Sequence, residues 1–204
     1  MSLTEERRFK TLLDLADDAE KRGYGLFAEY CRLREKGLRG EAFASLENFV
    51  ADMETKPFAT RRAFAGWLFG FCFYNPHLLE ACPVLLRAKI VAPAIDEWIR
   101  TEPENPQALR WSQDERAVLV AVRLAPHDQI AVGRFASMTM ARLEYSMHGS
   151  VGEKPRNAPK EELAELEAVI ALLEANPAAV LEELKEEALE LKDTLRQRLR
   201  ASDS

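Results

Sequence analysis

From Ala63 to Tyr74 the chain has no charged residue, inside the run FATRRAFAGWLFGFCFYNP at 58–76. At 3.6 residues per turn Phe64, Trp67, Phe71 and Tyr74 share one face. Leu68, Phe69, Cys72 and Phe73 fill the others. A helix apolar all round is buried on every side or lies in lipid. A bilayer span takes about 20 apolar residues, so this run is too short. It is therefore expected to be a central core helix wrapped by amphipathic neighbours. Gly66 and Gly70, four apart, would let one of those neighbours approach closely.

The flanking sequence supplies such neighbours. Leu12, Leu13, Ala16 and Ala19 recur at helical spacing, with Phe9 before them, and that helix should stop near Gly23. Leu26, Phe27, Tyr30, Cys31 and Leu33 point inward in a second helix that ends near Gly37. Ala42, Phe43, Leu46, Phe49, Val50 and Met53 form the stripe of a third. Asn75-Pro76 should close the aromatic helix and open the next as N-cap and N1. Pro83 and Pro93 predict a broken helix pair between them. Asn105-Pro106 repeats the cap-and-proline device. Ser112-Gln113-Asp114-Glu115 reads as a capping box, and Asp128 can cap the helix that carries Phe135, Met138, Met140, Tyr145 and Met147. No segment alternates with the period of two that a strand requires.

The stretch 149–159, GSVGEKPRNAP, reads as a linker of glycine, proline and polar residues. After it aromatic residues vanish. Leu163, Leu166, Val169, Ile170 and Leu173 form one stripe, broken at Asn176-Pro177. Leu181, Leu184, Ala188, Leu191, Leu195 and Arg198 follow at spacings of three and four. The expected organisation is an all-helical core domain over 1–148, a linker over 149–159 and an acidic helical hairpin over 160–204. The fold class is all-α: an irregular helical bundle, or an α-α superhelix ending in an αα-hairpin.

Composition narrows the function. The formal net charge is −6, with a pI near 5.3, which argues against nucleic-acid binding. Three cysteines, Cys31, Cys72 and Cys82, in apolar helical contexts read as reduced core thiols. With no leader-like apolar segment at the start, a cytoplasmic protein away from membranes is expected.

Arg61-Arg62 enters the aromatic helix at its N-terminus, where cations oppose the helix dipole. They could bind an anion, or pair with Glu47, Asp52 or Glu54. His77, His127 and His148 show no metal-ligand spacing; Glu144 and His148, four apart, are either two ligands or a helix-end pair. Ser137 and Ser146 lack a GxSxG context. No glycine loop precedes Lys-Ser/Thr. No cofactor, metal or catalytic residue is therefore expected. The methionines and aromatics of 135–147 suit either core packing or an adaptable binding face.

Residues 94–111, AIDEWIRTEPENPQALRW, resemble the junction between tetratricopeptide repeats. Ala94 and Trp98 take the small and aromatic positions, and Pro103-Glu104-Asn105-Pro106 takes the acidic turn. Leu124 to Asp128 resembles a second, poorer turn. The repeat has a period of 34 residues, whereas the two Asn-Pro pairs stand 30 apart. The resemblance implies a non-enzymatic interaction scaffold or adaptor that binds another protein or peptide. Arg61, Arg62, Asn105, Arg110 and Trp111 are the expected contact residues, and the hairpin could form a homodimer. Two alternatives stay open. One is an acidic inhibitor or immunity-type protein masking a basic enzyme. The other is a small-ligand-binding helical protein with a pocket near Trp67, Trp98 and Trp111.

Overall fold

The computed structural model describes residues 3–75, Leu78, 82–148 and 159–202, with side chains over 11–75, Leu78, 82–147 and 160–200. Among them there is no strand, and the chain is all-α as expected. It divides into two compact units, residues 1–101 and 102–204.

The first unit begins with α1 (Leu3–Lys21), α2 (Gly25–Glu35) and α3 (Arg39–Glu54), each packed on the next. Gly23 and Gly37, at φ +82° and +76°, end α1 and α2 where expected. That left-handed backbone is strained for any residue with a Cβ. α4 (Phe58–Tyr74) follows. Val84–Leu86 (α5), a π-helical turn at Arg87–Val91 and α6 (Ala92–Thr101) then follow one another without a non-helical residue between them. The expected break at Pro93 is instead absorbed: Pro93 has no N–H to give, and the wider turn just before it takes up the extra residue. Gly66 does serve close packing, since a Cβ there would lie 3.5 Å from Trp98 of α6. Nothing approaches within 4 Å of a Cβ at Gly70.

The aromatic helix departs from expectation. Phe64, Ala65, Leu68 and Cys72 are buried. Trp67, Phe69, Phe71 and Phe73 are only half-buried, and Tyr74 is 51% exposed. The helix is a wall of the unit's core rather than its enclosed axis. Its inner side meets an aromatic cluster: Phe64 lies 4.9 Å from Tyr24 and from Phe49, and 5.3 Å from Phe27. Asn75 closes α4, its side-chain amide donating to the Phe71 carbonyl at 2.9 Å. Its expected role in opening the next helix at Pro76 lies outside the described residues.

The second unit holds α7 (Pro106–Leu109), α8 (Glu115–Leu124), α9 (Gln129–His148), α10 (Pro159–Glu174) and α11 (Ala179–Ser202). Asn105 caps α7, accepting from Gln107 N at 2.9 Å, and Asp128 caps α9, accepting from Ile130 N at 3.0 Å. The capping box does not form. Asp114 is the N-cap of α8, accepting from Arg116 N at 3.0 Å, while Ser112 Oγ accepts from Asp114 N. Glu115 turns instead to Arg142 and Thr139 of α9.

The hairpin's seam is filled within the chain. Leu166, Val169, Ile170 and Leu173 of α10 are buried, as are Leu181, Ala188, Leu191 and Leu195 of α11. Arg198 is exposed. Both helices pack on α9. The expected grouping joined α7–α9 to residues 1–101 and set the hairpin apart. Contacts instead group the hairpin with α7–α9, because α9 supplies the surface that covers its seam. The expected linker, apart from Pro159, lies outside the described residues.

Candidate recognition cleft

A cleft of roughly 380 Å3 opens in the first unit, between the α1–α2 turn, the last turns of α3 and the start of α4. Phe49, Met53 and Leu26 supply its apolar lining, and Arg22, Asp52, Lys56 and Thr60 are its polar members. Tyr24 lines it too, its ring held edge-on to Phe64 at 4.9 Å and tilted against Trp67 at 5.4 Å. Phe49 and Met53 are each 2% exposed, so that part of the lining is set in the core. Leu26, expected inward, is 37% exposed at the cleft.

A hydrogen-bonded triad fixes one edge. Trp67 Nε1 donates to Asp18 Oδ2 at 2.6 Å, and Arg22 Nε donates to the same oxygen at 3.0 Å. The Arg22 guanidinium also stands 5.5 Å from the Trp67 ring centroid, within cation–π reach. Burial pushes the Asp18 carboxyl up, but the hydrogen bonds from Trp67 and Arg22 outweigh it and hold the group below the usual aspartate range. Lys56 pairs with Asp52 at 2.8 Å along α3.

The expected contact residues fall into two groups, one in each unit. Arg61 donates to Glu97 of α6 at 3.4 Å, not to Glu47, Asp52 or Glu54, and its buried Nε has no partner among the described residues. Arg62 stacks 5.1 Å from Trp98 and 5.7 Å from Phe58. In the second unit Asn105 is a helix cap. Arg110 pairs with Asp128 at 2.7 Å. Trp111 is buried, its ring flanked by Arg110 at 5.1 Å and Arg134 at 5.7 Å. Arg134 donates to the Ser112 carbonyl at 2.7 Å. Arg61 thus joins α4 to α6, and Arg110 and Arg134 join the segment around Trp111 to α9 and its cap. The cleft was not among the expected sites, and none of the three tryptophans lines it.

The thiols are core groups. Cys31, Cys72 and Cys82 are free and buried. Burial pushes all three up, Cys72 to about 12 with Cys82 beside it adding to the effect. Among the described residues no group of His, Cys, Asp or Glu is placed to hold a metal, and no helix is long and apolar enough to cross a membrane. His77 and the His148 side chain lie outside the described residues.

Charge is distributed unevenly. Residues 160–204 contain 12 acidic and 6 basic residues, while residues 1–159 balance 22 against 22. The whole net charge of −6 therefore belongs to the hairpin segment. Glu182, Glu183, Glu186, Glu187 and Glu190 of α11 are all exposed.

No protein-family model, no curated protein and no solved structure matches this chain.

Proposed function

We propose that this chain is a non-enzymatic interaction protein of the cytoplasm, and that the cleft of the first unit receives part of a polypeptide partner. The observation that carries the reading is the cleft itself. Its volume is at the lower end of the range for ligand sites, and it joins an apolar lining to a few polar groups, as recognition sites do. Buried free thiols suit a reducing compartment. The five residues Arg61, Arg62, Asn105, Arg110 and Trp111 are, on this reading, supports of the scaffold. A small free ligand in the same cleft is the neighbouring possibility, since the same features would serve it.

Gly25 offers a direct test. A Cβ there meets nothing within 4 Å and the backbone is not left-handed, so a side chain can start from Gly25, which lines the cleft, and Gly25→Trp is the variant chosen to obstruct it. A protein captured from native lysate by the wild-type chain should be lost with Gly25→Trp. Equal capture by both chains would sink the cleft as the partner site.

A second reading follows from the charge distribution: the hairpin as an acidic cover for a basic partner surface, with electrostatics setting on-rate and salt dependence. Reversing Glu182, Glu183, Glu186 and Glu187 to lysine discriminates the two. Loss of the captured protein in that variant, with Gly25→Trp unaffected, would favour the inhibitor-like role.

A further inference from the structure

The cleft contains polar groups that the chain itself leaves unused. Arg22 spends Nε on Asp18, and neither of its Nη atoms has a hydrogen-bond partner among the described residues. The Tyr24 and Thr60 hydroxyls likewise make no hydrogen bond among them. Burial pushes the Tyr24 phenol up, against a smaller opposing pull from Arg22, so at neutral pH it stays a proton donor. Beside these donors lie the backbone N–H groups of Gly25 and Leu26. They open α2, which has no side-chain cap and no acidic residue in its first turn.

The charges at the cleft are paired, so its spare donors select the kind of acceptor. Lys56 and Asp52 neutralise one another at 2.8 Å. Arg22 is likewise paired with Asp18, but through Nε alone, which leaves its two Nη groups as donors at the cleft. The free Nη groups of Arg22 and two neutral hydroxyl donors suit an acceptor with more than one oxygen. Carboxylate oxygens accept from a guanidinium in a planar, two-point fashion. The apolar part of the lining, Phe49, Met53 and Leu26, asks for a hydrocarbon body next to that carboxylate.

We propose that the cleft binds a carboxylate attached to an apolar side chain, either the C-terminal residue of a polypeptide or a free N-acylated hydrophobic amino acid. The carboxylate takes the Arg22 guanidinium and the Tyr24 hydroxyl, and the side chain lies on Phe49 and Met53. This assignment rests on the reading of the cleft as a recognition site.

The test is an amide-shift titration of the 15N-labelled full chain. The probes are N-acetyl-leucine, N-acetyl-leucinamide and a four-residue peptide ending in leucine, prepared with a free and with an amidated C-terminus. The free acids should shift the Gly25 and Leu26 amides and bind about tenfold tighter than the amides, as one charged hydrogen bond implies. Tyr24→Phe, which removes only the hydroxyl, and Arg22→Gln should each erode that preference, and Gly25→Trp should abolish every shift. Tighter binding of the peptide acid than of N-acetyl-leucine assigns the site to a chain end, and equal binding to a free acid. Acids and amides binding alike, with Gly25→Trp blocking both, would overturn the carboxylate while leaving the cleft as a recognition site. No shift with any probe would overturn the assignment, and the lysate capture would then decide the cleft reading separately.

Discussion

Asp18 and Trp67 stand 49 residues apart, yet they are bonded at 2.6 Å. An aspartate on the polar side of α1 and a tryptophan in an uncharged run give no sign of each other in the sequence, because pairing of this kind is decided by packing. The bond has a measurable consequence. Trp67→Phe keeps an aromatic ring but leaves Asp18 with Arg22 alone, and should cost about 1–3 kcal/mol at neutral pH. Asp18 is held below the usual aspartate range in the folded state, so its contribution is present above its unfolded pKa and is lost as pH falls through the lower folded value. Urea unfolding of wild type and Trp67→Phe should therefore show a stability gap at pH 7 that narrows in strong acid. A gap that stays constant down to pH 2 would show that the lost bond does not act through the carboxylate. Phe43 and Ser45 teach a related lesson. At 100° per residue they flank the stripe of α3 about 80° to either side. Phe43 is 51% exposed, whereas Ser45 is buried and donates to the Leu26 carbonyl at 2.9 Å. Hydrophobicity favoured the wrong edge, and the position of α2 decided it.

Helix limits are more legible than helix surroundings. Gly23, Gly37, Asn105 and Asp128 mark ends through backbone geometry and side-chain caps, which are local chemistry. The α8 start was half-legible: the string Ser112 to Glu115 announces a helix, but the cap is Asp114. Glu115 is drawn off by Arg142, whose Nε donates to it at 2.9 Å and whose Nη2 also donates to Glu165 of α10. A carboxylate occupied between helices cannot also close a capping box. Asp114→Ala should therefore cost about 1 kcal/mol, and Ser112→Ala distinctly less, in thermal or urea melts. The reverse order would restore the capping box. α4 shows the limit of periodicity most plainly. A uniformly apolar helix has no polar stripe to mark its outside, so the sequence could not say that Phe64, Ala65, Leu68 and Cys72 face in and Phe69 and Phe73 stay half-covered. The cleft was illegible for the same reason. It lies where three helix ends meet, and its lining is drawn from residues 22–26, 49–56 and 60.

At the scale of the molecule, composition separates the hairpin from the rest, and contacts do not. The shift to Glu, Leu and Ala after Pro159 is real, and so is the segregation of all the net charge there. Yet a seam of buried leucines must be covered by something, and α9 covers it. Arg142 bridges to Glu165, and Ser146 Oγ lies 2.7 Å from Glu162, which is 3% exposed. Leu143, between those two positions on α9, is fully buried. The hairpin is thus as much a part of the second unit's core as α8 is. Deleting 160–204 removes that cover, so the truncated chain should lose cooperative unfolding in residues 102–148, while residues 1–101 keep their own core. Hydrogen exchange distinguishes the two regions directly. Amides of α8 and α9 should lose protection in the truncated chain, and those of α2 and α3 should retain it. If α8 and α9 stayed protected, the hairpin would be an appendage after all, and an apolar seam free to meet a second copy of the chain would again be the better account of its leucines.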